Sequence, residues 1–427
     1  MYRVARAAAL AALLFVPAAA DANGRFPATV NVHDRPGNDQ LILLPATFGL
    51  LISTNDGGQF HWICEDAVGY GGTFDPDYAI ATDGTIYATT FDGLKISRDG
   101  GCTFVIAPDL DEQWVGDVEI GPSGIVWAAT SSGGMPNNVY QSTDNGVTFT
   151  AANLFDETAW WKSLKVAPGD PDRIYVTGYL VAATPEAILK RSDDGGETWI
   201  DLPVTDFGFG NQPLLFVEGV SPTNPDIVFA RVNGSIAPAG DALYRSTDAG
   251  QSWTQVLELS DTIGAFLIRS DGATVIAASA GKCPGEPKES LDGCVKLSTD
   301  GGATFHAAAT QPKMACIMER SDGTLFACGA NWEPDRFALG RSTDAAAWTA
   351  VFRFSEMAGP LSCEPGTVQF DICESLQWPS IAEQFGVGSA PDAGSIDASG
   401  GGGGKGCGCS MAFAAAFLVV PRRRRRP

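Results

Sequence analysis

Carboxylates recur beside flat aromatic rings along this chain. Tyr70, Phe74, Asp75 and Asp77 form one group, and Asp111, Glu112, Trp114 and Asp117 a second. Phe155, Asp156, Glu157, Trp160 and Trp161 form a third, and Phe207, Phe209 and Trp332 add further rings. Such pairings suit sugars, through hydroxyl hydrogen bonds and ring stacking, or a cationic peptide, through cation–π contacts. Two carboxylates across a cleft are also what acid–base cleavage of a glycosidic bond needs. Asp75, Asp117 and Glu157 are the candidates for that role, although spacing alone pairs none of them. Asp75-Pro76-Asp77 and Asp109–Glu112 carry oxygens that suit Ca²⁺, but solvated acidic loops account for them better, and no metal or cofactor is expected. No nucleophile elbow, metalloprotease helix or Cys/His pairing stands out.

Composition narrows the partners. Removing Arg3, Arg6 and Arg422–Arg426 from the 28 basic residues, and Asp21 from the 50 acidic ones, leaves 49 acidic against 21 basic, a net −28. Nucleic acid is therefore not expected as a partner, because phosphate binding needs a basic footprint. The 427 residues exceed one small domain, and 44% apolar residues exclude a disordered chain. Ten Cys with three His favour disulfides over a His-based metal site.

The elements that must position these residues repeat. The pattern Ser-x-Asp-x-Gly-x-x-aromatic appears at Ser97–Phe104, Ser142–Phe149, Ser192–Trp199, Ser246–Trp253 and Ser298–Phe305. Two weaker copies flank these: Ser53–Phe60, with Asn55 in the Asp place, and Ser342–Trp348, one residue short and without Gly. Around each copy lie four short β-rich runs, such as Asp117–Ile120, Ile125–Thr130, Val139–Thr143 and Thr148–Ala152. No segment has helical periodicity of sufficient length. Four-stranded units of this size predict an all-β, seven-bladed β-propeller of antiparallel blades over 28–385.

In such a meander the repeated turns, joining strands 3 and 4, share one face with the 1–2 links. The longer 2–3 links, such as Ser131–Asn138, Gly178–Ala187 and Asn331–Ala338, lie on the opposite face with the inter-blade links. Long loops on a rigid scaffold are where binding concentrates. Tyr70, Phe74, Trp114, Trp160, Trp161, Phe209 and Trp332 are therefore expected on that face as ligand-binding residues.

The eight-residue pattern resembles the Asp-box, or BNR repeat, of sialidases, sortilin-type receptors, xyloglucanase-type glycosidases and photosystem assembly factors. The resemblance covers about 330 residues and implies the propeller fold; those families do unrelated things. Asp99, Asp144, Asp194, Asp248 and Asp300 are expected to be structural, accepting bonds from turn amides. A sialidase is not expected. Gly24-Arg25-Phe26-Pro27 is a poor copy of that family's Arg motif, and most other Arg occupy turn or box-flanking positions.

The two ends read as addresses. Residues 1–22 have a basic start, a short apolar run and an Ala-x-Ala site, the pattern of a secretory signal peptide. Residues 386–406 form a Gly/Ser-rich linker. In 407–427, Cys407 and Cys409 precede a short apolar stretch and an Arg run. That order resembles the MYXO-CTERM sorting signal, which implies processing near those Cys by a myxosortase-type protease and display at the cell surface or outer membrane. Membrane contact is expected only through this signal.

Among the other cysteines, Cys316 and Cys328 straddle a hairpin turn, Cys283 and Cys294 could close one loop, and Cys363 and Cys373 could staple the tail. Cys64 and Cys102 lie at opposite ends of their strands, too far apart to bond to each other. The sequence therefore reads as an exported, surface-anchored, non-catalytic propeller that binds a glycan or protein on the face opposite the repeated turns. The alternative is a secreted glycoside hydrolase, xyloglucanase-type or sialidase-like, using paired carboxylates there.

Overall fold

The computed structural model describes residues 25–71, 74–210, 214–236, 240–283, 285 and 292–388. The expected signal peptide, most of the linker and the sorting signal with Cys407 and Cys409 lie outside the described residues.

Seven antiparallel sheets follow one another along the chain, beginning at His33, Tyr78, Val115, Ala159, Leu215, Ala265 and Cys316. Each is a four-stranded meander in chain order, giving a seven-bladed β-propeller. In blade 3 the strands are Val115–Ile120, Val126–Thr130, Val139–Ser142 and Thr150–Ala151, close to the expected runs. The core lies between blades, where apolar faces of adjacent sheets meet; Trp127, Trp161, Tyr87, Tyr175, Phe229 and Phe326 are fully buried there.

The repeated turns knit each hairpin and dock it on the preceding blade. In blade 4, Ser192 Oγ donates to Asp194 Oδ1 (2.7 Å) and accepts from the Gly196 amide (2.8 Å). Asp194 also accepts from the amide and hydroxyl of Thr198. The same pattern recurs around Asp99, Asp144, Asp248 and Asp300. In the first turn the Asn55 carbonyl oxygen takes the carboxylate's place. Gly302 is left-handed (φ +78°), and a Cβ there would lie 2.3 Å from the buried Phe229 ring of the preceding blade. Gly146 meets Tyr87, and Gly196 meets Trp127, in the same way.

Two expectations need correction. The tail is helical: a π-helical stretch, Gln369–Gln377, runs into the α-helix Trp378–Phe385. Before it, Gly359–Pro360 adds a fifth strand, parallel to His61–Ile63, on the outer edge of blade 1. The tail thus both extends a blade and packs a helix over it, with Phe385 against Phe48 and Phe354. Secondly, Cys363 and Cys373 do not bond to each other. Cys64 pairs with Cys373 and Cys102 with Cys363, tying the tail to blades 1 and 2. The added strand carries the tail across both blades, so each tail cysteine meets a partner far away in sequence. Cys283–Cys294 and Cys316–Cys328 form as expected, and Cys64 and Cys102 are not paired together.

Candidate functional site

On the face opposite the repeated turns, five rings from blades 2, 3 and 4 form a continuous row. Phe74 and Phe91 are 4.5 Å apart between ring centres, Phe91 and Trp114 5.0 Å, Trp114 and Trp160 5.7 Å, and Trp160 and Tyr179 5.7 Å. Phe91 is 51% exposed and the other four are half-buried. Their positions follow from the topology. Phe74 and Trp114 end inter-blade links, Phe91 lies in a 2–3 link, and Trp160 and Tyr179 face each other across the first two strands of blade 4.

A β-bulge adds a cation. The register of the first strand of blade 4 jumps from Trp161↔Gly178 to Ser163↔Thr177, leaving Lys162 as the extra residue. Bulges re-aim side chains, and Lys162 Nζ lies 4.0 Å from the Trp114 ring centre, 5.5 Å from Trp160 and 5.9 Å from Tyr179. Burial against these rings pushes the ammonium down to about 8.

Beside the row, a cleft of about 290 Å³ opens between the short helix Glu65–Val68 and blade 2. Asp66, Gly69, Tyr70, Gly71, Thr90, Phe91 and Asp92 line it. Behind it Arg25 donates to Asp75 (2.5 Å), Glu65 (3.1 Å) and the Thr47 carbonyl (2.9 Å). Burial raises the Asp75 and Glu65 carboxyls and the Tyr70 phenol above their ordinary ranges, with Arg25 opposing it.

Further in, first-strand residues bring charges together. Lys165 donates to Glu119 (2.8 Å), and Asp117 accepts from the Leu164 amide (2.5 Å), with the Asp77 charge nearby. Burial drives the Asp117 carboxyl well up. Burial also opposes the charge on Lys165, yet Glu119, Asp117 and Asp77 hold its ammonium above its usual value. His33, half-buried in the first strand of blade 1, is held down to about 4, first by burial of its ring and then by the Lys165 charge.

The residues expected on this face divide. Phe74, Trp114 and Trp160 join the row, and Tyr70 lines the cleft. Trp161 is fully buried, because side chains alternate along a strand and its neighbour Trp160 takes the outer side. Phe209 packs instead on Phe207, which contacts Tyr244 and Trp253 of blade 5. Its link must cross from an outer to an inner strand and lies along that blade on the way. Trp332 is 42% exposed but contacts Phe26 and Phe354, apart from the row.

Asp75, Asp117 and Glu157 are not brought together: the first bonds Arg25, the second sits with Asp77 and Lys165, and the third is exposed. Phe91, Tyr179 and Lys162 were missed by sequence reasoning. The bulge that aims Lys162 leaves no mark in the sequence, but Tyr179 follows from pairing opposite Trp160. Among the described residues no three His, Cys, Asp or Glu side chains converge as metal ligands, and no helix is long and apolar enough to cross a membrane.

No family model matches the chain. It is 32% identical over 257 residues to the xyloglucanase Xgh74A of Acetivibrio thermocellus, an alignment covering 49% of this chain and 30% of that protein. The chain therefore spans under a third of the length of this curated relative. Solved structures with the propeller fold include a GH74 xyloglucanase from Xanthomonas campestris, with 16% identity, TM-score 0.37, and 74% of this chain and 58% of that one covered. YCF48 from Cyanidioschyzon merolae gives 13% identity, TM-score 0.45, and 71% and 93% coverage. The chain is thus a seven-bladed β-propeller with sequence similarity, over about half its length, to a glycoside hydrolase.

Proposed function

We propose that the protein is an exported glycan-binding propeller whose ligand lies along Phe74, Phe91, Trp114, Trp160 and Tyr179. The observation that carries this reading is the unbroken, part-exposed aromatic row on the loop-bearing face. Lys162 already occupies the position over these rings that a cationic peptide side chain would take, which favours sugar over peptide. Sequence similarity to a xyloglucanase makes xyloglucan the first polysaccharide to test. The four disulfides fit maturation in an oxidising compartment. Surface anchoring through Cys407 or Cys409 by a sorting protease remains part of the proposal, and mass spectrometry of the C-terminus of cell-surface material tests it.

Affinity electrophoresis in gels containing xyloglucan, glucomannan or arabinoxylan tests the binding. Retardation by at least one, lost on Trp114→Ala and Trp160→Ala, is the expected result; unretarded migration in all three would refute the reading.

A second reading is a glycoside hydrolase. The sequence similarity to a xyloglucanase favours it. Release of reducing ends from xyloglucan, abolished by Asp117→Asn, would establish it. Binding without release would leave the first reading.

A further inference from the structure

Lys162 differs from several cations of the inner strands and this face, which are paired. Lys165, three residues along the same strand, bonds Glu119, and Arg25 bonds Asp75. Arg231 bonds Glu218 and Asp241, and Lys190 pairs with Asp201. Among the described residues, by contrast, no carboxylate lies within ion-pair distance of Lys162, whose ammonium is surrounded by Trp114, Trp160 and Tyr179. Burial alone accounts for its lowered proton affinity, with no opposing carboxylate. A charged group desolvated without a counter-ion is costly unless something supplies the opposite charge. Lys162 is half-buried, so a ligand lying on the row can reach it.

We propose that Lys162 makes the aromatic row selective for an acidic glycan, in which a uronic acid carboxylate pairs with its ammonium while an adjoining sugar lies against Trp114 or Trp160. This rests on the glycan reading and names the class of sugar. The surroundings restrict it further. Asp92, Asp111, Glu112 and Glu157 are exposed on neighbouring links, within a chain of net charge −22. Such a field opposes a dense polyanion. The site therefore favours a glycan in which isolated uronates interrupt neutral sugars.

The test is isothermal titration of the full chain at pH 7 with aldotetraouronic acid, a xylotriose bearing one methylglucuronate, beside its carboxyl-reduced counterpart and trigalacturonate. The acid form is expected to bind about tenfold more tightly than the reduced form, the ratio a single charge-assisted bond supplies. Trigalacturonate should bind more weakly than the singly charged sugar. Lys162→Met, which keeps an apolar stem on Trp114, should erase the preference for the acid form, and Lys162→Arg should retain it. Equal binding of acid and reduced forms by the wild type overturns the proposal and leaves the glycan reading intact. Absence of binding to both, together with unretarded migration in the neutral polysaccharide gels, overturns both. The wild-type comparison decides the matter even if a variant does not fold.

Discussion

At the residue scale, Gly302 meets two demands in one turn: a left-handed backbone and the absence of a Cβ beside Phe229. Gly302→Ala adds αL strain of about 1–2 kcal/mol to overpacking of about 1–3 kcal/mol. Denaturant unfolding is expected to report a loss of at least ~2 kcal/mol; an unchanged midpoint would show that the turn yields. Charge in these turns has a pH signature. Hydrogen bonds from Thr148 and Thr198 lead in holding Asp144 and Asp194 at about 2, below the ordinary value of ~4. A carboxyl depressed by folding adds stability that is fully present above its unfolded pKa and lost as pH falls through the folded one. Asp34, Glu65, Asp75 and Glu119, raised by burial, act with opposite sign, and their cost fades as pH falls. His33, held down to about 4, opposes that relief, because stability is lost as pH falls from about 6.5 toward 4, so melting temperature should change little from pH 7 to about 5 and drop between about 4 and 2. Thermal melts across this range check it, and a steep loss already complete by pH 5 would contradict the balance.

At the element scale, the tail is held by bonds that span the chain. Cys64–Cys373 closes 309 residues and Cys102–Cys363 closes 261, whereas Cys283–Cys294 closes 11. The two long links are nested, so removing Cys64–Cys373 with Cys102–Cys363 intact frees a loop of about 50 residues, and on loop-closure entropy that link constrains the unfolded chain by about 1 kcal/mol more than the short one. Replacing Cys64 and Cys373 together by Ser should lower the melting temperature more than replacing Cys283 and Cys294, and should expose Gln369–Phe385 to limited proteolysis. Equal effects would mean that helix packing, rather than the bonds, holds the tail. The blades were legible in the sequence because a turn of Ser, Asp and Gly is local chemistry repeated at each hairpin. The tail was not. Its helix buries Ile381 and Phe385 against a surface that joins nearby Phe354 to Phe48, far earlier in the chain, and its cysteines pair with partners 309 and 261 positions away.

At the scale of the whole molecule, seven blades must close into a ring although the four meander strands of blade 1 and of blade 7 each come from one continuous segment, and only the added edge strand Gly359–Pro360 brings the later chain back to blade 1. The site was only partly legible for a related reason. The aromatic row is assembled across three blades, and neither its order nor the bulge at Lys162 is written in any one segment. At the seam between first and last blades, Thr29 Oγ1 donates to the Ala338 carbonyl (3.0 Å). Arg320 of blade 7, whose side chain is 4% exposed, bonds Asp56 of blade 1 at 2.8 Å and lies 3.7 Å from Asp34. Its guanidinium also covers the Phe326 ring at 4.6 Å. Removing one partner of a buried ion pair leaves the other charged and desolvated, which costs about 3–5 kcal/mol when burial is complete. Asp34 and Asp56 are part-exposed, so Arg320→Met should cost nearer ~2 kcal/mol. The ring makes a sharper prediction than the number. If closure depends on this seam, hydrogen exchange should quicken first in Asn38–Ser53 and Cys316–Cys328 and leave blade 4, on the far side, unchanged until global unfolding. Exchange rising equally in all seven blades would mean that the ring has no weak seam and that its stability is shared evenly among neighbouring blades.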